Sequence, residues 1–343
     1  MTRTRQIVLA SRPQGSATRD NFRLEQVDLP QPGPGEVAVR LIWMSLDPYM
    51  RGRMDAARSY APAVEVDAPM QAGAVAQVTA SNSDRFAVGD IVVGNMPWSE
   101  AAVVPADGLR RVDPAHGPIQ HALSVLGMPG MTAWVGLTRI APTKPGDTVL
   151  VSAATGAVGS VAGQIARSRG LRVIGVAGGP EKCRYAEQEL GYDACLDHRA
   201  GDADALSAAI QAAAPDGVDV YFENVGGKTL QAVLPHMNDF GRIAVCGAIA
   251  WYDGKNLDQA PPLPAVWVQI LRRRLNVRGF IVFDHADAQG EFVAEVAPLV
   301  ASGAITIRET VADGLDAAPE AFLGLLRGEN FGKQLVRVGP DPQ

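Results

Sequence analysis

From about Met128 onward, short apolar runs alternate with polar segments of helical period. Val149–Val151, Arg172–Ala177, Ala194–Leu196, Val218–Phe222 and Ile243–Cys246 read as buried strands, and Asp204–Ala214 as one of the intervening helices. Strand and helix in strict alternation predict an α/β fold with a doubly wound parallel sheet, and Leu275–Phe283 supplies a sixth strand. Arg272–Arg274 then read as a solvated entrance to that strand. The first part of the chain has another rhythm. Val37–Leu41, Ala74–Val78 and Ile91–Gly94 are strand-like and are cut by glycine and proline, with a turn at Pro30–Gly35, so a β-rich domain is expected up to Leu126. The boundary falls near Gly127–Gly130. After Asp284 the pattern predicts a helix over Ala288–Ser302, a strand over Ile305–Thr310, a helix over Ala317–Arg327 and a strand over Lys333–Val338. Because six strands are already in place by Phe280, this tail is expected to rejoin the first domain. The resulting division is 1–126 with 304–343 against 127–303, with a ligand cleft between the two domains.

The junction Val149–Arg167, VLVSAATGAVGSVAGQIAR, carries the first sign of chemistry. A strand runs into small residues, Ala154, Gly156 and Gly159, at the spacing of a dinucleotide-binding turn with alanine in the first place, and Ala157 and Val158 complete the loop. Gly156 lets a pyrophosphate approach the backbone, and the helix that follows offers free N–H groups. Gly159 and Gly163 let that helix lie close on the sheet. The same spacing also serves a tight turn without a ligand, and the βαβ context favours the ligand. Where an NAD site carries an acid at the tip of its second strand, this chain has Gly178, Gly179, Pro180, Glu181 and Lys182. Room for a phosphate and a cation to meet it point to NADP; Glu181 and the commonness of surface lysines argue the other way.

Composition narrows the picture. With 343 residues, 47% apolar and 20% charged, the chain suits an ordinary two-domain globular protein. A formal net charge of −6 argues against a broad nucleic-acid surface. Cys183, Cys195 and Cys246 have no CxxC spacing and suit small side chains in a reducing compartment, the cytoplasm. His116, His121, His198, His236 and His285 form no metal-binding pattern, so no metal is expected. No apolar run is long enough for a membrane span or a signal peptide, so no membrane partner is expected.

Six strings then occur in a telling order: SLDPYMRGRM at Ser45–Met54, LGMPGMTAWVGL at Leu126–Leu137, AATGAVGSVAGQIA at Ala153–Ala166, AGGPEKCRYA at Ala177–Ala186, YFENVGG at Tyr221–Gly227 and GENFGKQ at Gly328–Gln334. Together they resemble the zinc-free, NADP-dependent double-bond reductases of the medium-chain dehydrogenase/reductase superfamily. That family includes prostaglandin, alkenal and bacterial curcumin reductases, the curcumin branch being most similar. The resemblance covers essentially the whole chain and implies a GroES-like first domain beside the Rossmann sheet, and a homodimer. It implies that Lys182 and the Gly179 turn bind the 2′-phosphate, Asn224 the diphosphate and ribose region, and Thr132 and Asn330 the nicotinamide side. Cys246, Gly247, Phe280, Ile281 and Val282 would wall the nicotinamide pocket. Leu196–His198, LDH, replaces a tyrosine-containing segment of the prostaglandin reductases, and His198 stands where that phosphate contact is lost. Plain structural roles remain open for Asn224 (turn), Cys246 (core) and Phe280 (strand filler).

The chemistry follows from what is present. Nicotinamide carries the hydride, and an α,β-unsaturated carbonyl accepts it at the β-carbon while charge collects on the carbonyl oxygen. One hydrogen-bond donor at that oxygen then suffices, and the α-carbon takes a proton from solvent. Tyr252, after CGAIAW at the carboxyl end of the fifth sheet strand, matches a family tyrosine of the substrate pocket and is the favoured donor. Tyr49 would shape the substrate site from the first domain, or be a core aromatic. Apolar residues Trp251, Pro261, Pro262, Leu263 and Trp267 suit a bulky apolar enone or enal, or equally a subunit interface. A zinc-free quinone oxidoreductase and an NADPH-binding protein without turnover are the rival readings.

Overall fold

The computed structural model describes residues 2–57, 59–253 and 260–342, and the chain divides into two compact units, 1–124 with 309–343 and 125–308. In the first unit, strands β1 (Thr2–Leu9) and β2 (Phe22–Leu29) pair antiparallel in a two-stranded sheet. Next come β3 (Glu36–Ser45), the single turn α1 (Met50–Arg53), β4 (Gln71–Ser81), β5 (Ile91–Pro97), β6 (Ala101–Pro105) and β7 (Arg110–Arg111).

The second unit opens with α2 (Met128–Val135) and then alternates: β8 (Thr148–Ser152), α3 (Gly159–Ser168), β9 (Arg172–Ala177), α4 (Pro180–Gln188), β10 (Ala194–Asp197), α5 (Ala203–Ala213) and β11 (Val218–Glu223). It continues through α6 (Gly227–Val233), β12 (Met237–Val245), α7 (Leu263–Arg273), β13 (Asn276–Gly279) and α8 (Gln289–Ala301). Among the described residues the sheet order is β10-β9-β8-β11-β12-β13, and every pairing is parallel. The central strands are buried on both faces. Val149, Val151 and Phe222 join the cluster under α2, α3 and α8, while Leu150 and Tyr221 join the cluster under α5 and α6. Alternate side chains of one strand thus feed two cores, as a doubly wound sheet requires.

The chain returns to the first unit as β14 (Glu309–Asp313), α9 (Ala318–Leu326) and β15 (Lys333–Arg337). There the larger sheet runs β14-β15-β3-β4-β5-β7, with β6 on β3. α9 is held by its Phe322, which meets Phe22 and Trp98 edge-on at 6.2 and 5.9 Å while Phe22 and Trp98 stack at 5.9 Å. Contacts of this kind add about 0.5–1.5 kcal/mol each beyond burial.

Three sequence expectations need correction. The strand over Leu275–Phe283 is only four residues long, because the chain turns into a 3₁₀ segment at Val282–Ala288, with Val282 buried and Phe283 65% exposed. Arg272–Arg274 are no strand entrance: Arg272 and Arg273 end α7, and Arg274 closes it in the left-handed region at φ 49°. The strand over Ile305–Thr310 starts at Glu309, because Ile305 is buried in the second unit's core and Thr306 trades hydrogen bonds with Gln164 of α3, at 2.8 and 2.9 Å. In addition β12 begins at Met237, six residues before its apolar run, and Cys246 lies just beyond its end.

Candidate active site

The phosphate turn is built from backbone. Ala153 closes β8 in the left-handed region at φ 50°, the Ala154 N–H donates to the Val176 carbonyl at 3.0 Å, and the Gly156 N–H donates to Ala153 at 2.8 Å. Ala157 and Val158 complete the loop, and Val158 is the residue before α3. A Cβ on Gly159 would lie 2.2 Å from the Ala153 carbonyl oxygen, so only glycine lets α3 leave the strand at this angle. Gly163 serves something the sequence left unseen. A Cβ there would lie 2.1 Å from the ring and hydroxyl of buried Tyr192, whose hydroxyl donates to the Gly159 carbonyl at 2.8 Å. One tyrosine therefore braces the turn from beneath.

At the tips of β9 and β10 the chain gathers cations. Gly179 stands at φ 98° and donates its N–H to Asp197 Oδ1 at 2.8 Å; the same oxygen accepts the Arg199 N–H at 2.8 Å. A Cβ on Gly178 would lie 2.9 Å from Arg199 Nε and 3.0 Å from His198 Nε2, so both side chains close over that glycine. Lys182 is half-buried, and its pKa is lowered by burial and then by the Arg199 charge. His198 is lowered by burial, then by Lys228 and Arg199. Lys228 Nζ donates to the His198 and Gly201 carbonyls at 2.5 and 2.8 Å. Lys182 and Arg199 so bring two positive charges to these glycines, and His198, kept neutral by burial and by its cationic neighbours, adds a ring nitrogen, a seat suited to a dianion. Arg199 and Lys228 were missed by the sequence reading; Arg199 directly follows the LDH string, and Lys228 follows YFENVGG.

A second knot ties the carboxyl ends of β8, β11 and β12. Asn224 Nδ2 donates to the Ser152 carbonyl at 2.7 Å, and the Asn224 N–H donates to Ser152 Oγ at 2.8 Å. Ser152 Oγ in turn donates to Glu223 Oε1 at 2.9 Å, which also accepts the Val225 and Gly226 N–H groups at 2.6 and 3.0 Å. The Glu223 carbonyl accepts from the Cys246 and Gly247 N–H groups at 2.9 and 3.1 Å, so these two residues and Asn224 share one strand-tip cluster. Burial pushes the Cys246 thiol up to about 12, with Glu223 adding to it, which makes this thiol inert. Glu223 and Ser152 were also missed, although Glu223 stands inside YFENVGG.

Tyr252 belongs to the same cluster. Its hydroxyl oxygen accepts the Ala248 N–H at 3.1 Å and lies 3.0 Å from where a Cβ on Gly247 would be. Burial raises its pKa, opposed by that backbone bond, so the phenol keeps its proton. Phe280, Ile281 and Val282 follow β13, with Phe280 edge-on to His285 at 6.5 Å. Thr132, on α2, spends its hydroxyl proton on the Met128 carbonyl at 2.7 Å. Trp251 packs over Gly226, where a Cβ would lie 2.6 Å from its ring. An apolar cavity of about 100 Å³ beside it is lined by Leu230, Ile243, Val245, Trp251 and Ile270. The part of the neighbouring loop at 254–259 lies outside the described residues.

Tyr49 and Asn330 lie in the first unit. Tyr49 precedes α1 and packs on the core around Met50 and Met54, its pKa raised by burial and by Asp47. Asn330 Nδ2 donates to the Gly332 carbonyl at 2.8 Å. Their two strings are joined by Lys333, only 1% exposed, whose Nζ donates to Asp47 Oδ1 at 2.7 Å and the Leu46 carbonyl at 2.9 Å.

Residues 5–112 match a family model described as the N-terminal domain of oxidoreductase, and 157–301 match one described as zinc-binding dehydrogenase. The NADPH-dependent curcumin reductase of Escherichia coli (strain K12) is 44% identical over 99% of this chain and 98% of its own. The chain belongs to the NADP-dependent double-bond reductases of the medium-chain dehydrogenase/reductase superfamily. Its fold, a parallel Rossmann sheet with a separate β-rich domain, is that of this superfamily. The 2-alkenal reductase (NADP(+)-dependent) of Nicotiana tabacum is 37% identical over 97% of both chains. A crystal structure of CurA in complex with NADPH from Vibrio vulnificus superposes with a TM-score of 0.92 at 46% identity, covering 98% of this chain and all of the other. Among the described residues of this member, no group of three or more His, Cys, Asp or Glu is placed to hold a metal ion, and no helix is long and apolar enough to cross a membrane.

Proposed function

We propose that this protein is an NADPH-dependent reductase of the carbon–carbon double bond of α,β-unsaturated ketones and aldehydes. The observation that carries the reading is the strand-tip cation seat: Lys182 and Arg199, with the neutral His198 ring beside them, lie around two glycines and suit a 2′-phosphate, and they stand beside a glycine turn suited to a diphosphate. When bound, NADPH supplies the hydride. The protein's residues hold and orient. Ala154, Gly156, Ala157, Val158 and Gly159 would receive the diphosphate, and Asn224, fixed by Ser152, the ribose beside it. Thr132, Cys246, Gly247, Phe280–Val282 and Asn330 would border the nicotinamide. Tyr252 fits the donor role because its oxygen already accepts from Ala248, so its own proton is the group it offers. Donated to a substrate carbonyl, that proton stabilises the negative charge the oxygen takes up as hydride arrives at the β-carbon. Tyr49 would shape the substrate site.

Tyr252→Phe is expected to lower kcat with an enone by about 100- to 1000-fold, the worth of a good oxyanion donor, while leaving the Kd for NADPH within about twofold. Unchanged turnover removes Tyr252 from the mechanism. The exposed apolar residues Leu263 and Trp267, 63% and 60% exposed on α7, suit a bulky apolar substrate or a second copy of this chain. β13 leaves one edge of the sheet without a neighbouring strand among the described residues and carries exposed Val277, which favours a homodimer; a monomer by sedimentation at micromolar concentration excludes it. Three free thiols suit the cytoplasm.

A further inference from the structure

The seat proposed for the 2′-phosphate is divided between two turns of the chain, and one acid joins them. Gly178, Gly179 and Lys182 come from the end of β9 and the start of α4, whereas His198 and Arg199 follow β10. Asp197, half-buried, is the last residue of β10 and lies level with Ala177, the last residue of β9, in their parallel register. Its Oδ1 accepts the Gly179 N–H and the Arg199 N–H, both at 2.8 Å, so a single oxygen holds one residue from each turn. Partial burial would raise its carboxyl pKa, but the Arg199 and Gly179 N–H groups outweigh it and the pKa is lowered, so the group is charged at neutral pH. The second turn is tied elsewhere as well. The His198 N–H donates to the Ala177 carbonyl at 3.0 Å, and Lys228 Nζ, from the start of α6, holds the His198 and Gly201 carbonyls. On charge alone an acid is out of place here. An NAD site carries its acid at the tip of the second strand, where it meets a ribose hydroxyl; this one stands one strand over, beside a seat for a dianion, and its Oδ1 is spent on backbone.

We propose that Asp197 is a positioning residue for the 2′-phosphate of the cofactor: by holding Gly179 and Arg199 on one oxygen it locks the two cation-bearing turns into a single preorganised seat, and so sets the preference for NADPH over NADH. The proposal rests on the 2′-phosphate reading of that seat. Gly179, at φ 98°, directly precedes α4, so fixing its N–H fixes the point from which the helix and Lys182 start. Fixing the Arg199 N–H fixes the root of the guanidinium that closes over Gly178, where a Cβ would lie 2.9 Å from Arg199 Nε. Neither turn then has to be ordered when the phosphate arrives, which is how preorganisation adds affinity. A clamp and a bare charge act on the ligand with opposite signs. Repulsion of a dianion by a half-exposed carboxylate is worth only about 1.4- to 5-fold in affinity, whereas a hydrogen bond to a charged group is worth about 10- to 150-fold. Removing a bare negative charge tightens the phosphate; removing the clamp loosens it.

Full-length protein is titrated calorimetrically with adenosine 2′-phosphate, which probes the seat, and with ADP, which probes the glycine turn without a 2′-phosphate. Asp197→Ala loses acceptor and charge together. It is expected to raise the Kd for adenosine 2′-phosphate about tenfold, the worth of one charge-assisted hydrogen bond, and to leave the Kd for ADP within about twofold, although a negative charge has been taken away from a dianion's site. Asp197→Asn keeps an oxygen for both N–H groups and lacks the charge, so it is expected to lower the Kd for adenosine 2′-phosphate by about 1.4- to 5-fold. Tightening by Asp197→Ala means that Asp197 acts by charge alone, weakening by Asp197→Asn means that the charge itself is needed, and equal losses for the two ligands mean that the whole strand tip has loosened; each overturns the proposal. Amide exchange in the wild-type protein, which needs no variant, should show the Gly179 and Arg199 N–H groups protected before any ligand is added, and rapid exchange of either overturns it too. Wild-type protein that binds ADP but not adenosine 2′-phosphate removes the 2′-phosphate reading and the proposal with it, whereas binding of both ligands with Asp197→Ala unchanged removes the role of Asp197 alone.

Discussion

Removing the ammonium at position 182 should convert a NADPH enzyme toward indifference between the two cofactors. Lys182 is half-buried at the N-terminal turn of α4, so a contact it makes to a phosphate is a charge-assisted hydrogen bond partly withdrawn from water. Such bonds are worth about 1.5–3 kcal/mol, or about 10- to 150-fold in affinity. Arg199 is exposed, and an exposed ion pair gives only about 0.2–1 kcal/mol, or about 1.4- to 5-fold. Lys182→Ala should therefore raise the KM for NADPH at least several times more than Arg199→Ala does, and neither should move the KM for NADH. Their neighbouring charges make the pair non-additive. The lowered Lys182 pKa sets the sign of the pH effect. In the free enzyme the ammonium loses its proton below the ordinary lysine value, so NADPH binding weakens as pH rises through that lowered value. Lys182→Arg, always charged, removes the rise. Steady-state kinetics with both cofactors across alkaline pH measures all of this. An Arg199 effect larger than that of Lys182, or equal losses for NADPH and NADH, overturns the assignment of Lys182 as the main 2′-phosphate contact.

Two further predictions concern the buried polar groups. Glu223 Oε1 accepts three hydrogen bonds, and burial raises the carboxyl pKa against the pull of its donors. A raised folded-state carboxyl pKa means wild-type stability falls as pH rises above the unfolded value of about 4.3. Glu223→Gln keeps the acceptor and lacks the charge, so its melting temperature should exceed that of wild type at neutral pH and converge with it near pH 4; a gap independent of pH contradicts this. Lys333→Met leaves Asp47 buried without its cation and should cost about 3–5 kcal/mol in denaturant unfolding, whereas a loss under 1 kcal/mol means Asp47 finds water instead.

The local features of the fold were legible and the assembled ones were not. β8, the glycine turn and α3 are contiguous, so a 19-residue string displays strand, turn and helix together. Lys182 was legible for the same reason, as it stands just past a strand tip. Arg199 and Lys228 reach the same place from β10 and from the start of α6, and only the sheet order β10-β9-β8-β11 makes them neighbours. Glu223 shows in the sequence as one acid among many, and the hydrogen bond it accepts from Ser152 appears only once β11 ends beside β8. The apolar run after Leu275 misled because hydrophobic burial in a 3₁₀ turn and in a strand look alike over so few residues. Ile305 misled in a related way: it is buried as expected, but in the core of the α/β unit rather than in a strand.

The claim that the reaction is addition of hydride to a carbon–carbon double bond is tested most directly by isotope placement. NADPH carrying deuterium at the transferred position is incubated with the enzyme and an α,β-unsaturated ketone, and the product is read by NMR. The expected product is a saturated ketone with deuterium on the β-carbon and a solvent-derived proton on the α-carbon. Deuterium on the carbonyl carbon of an allylic alcohol would contradict it.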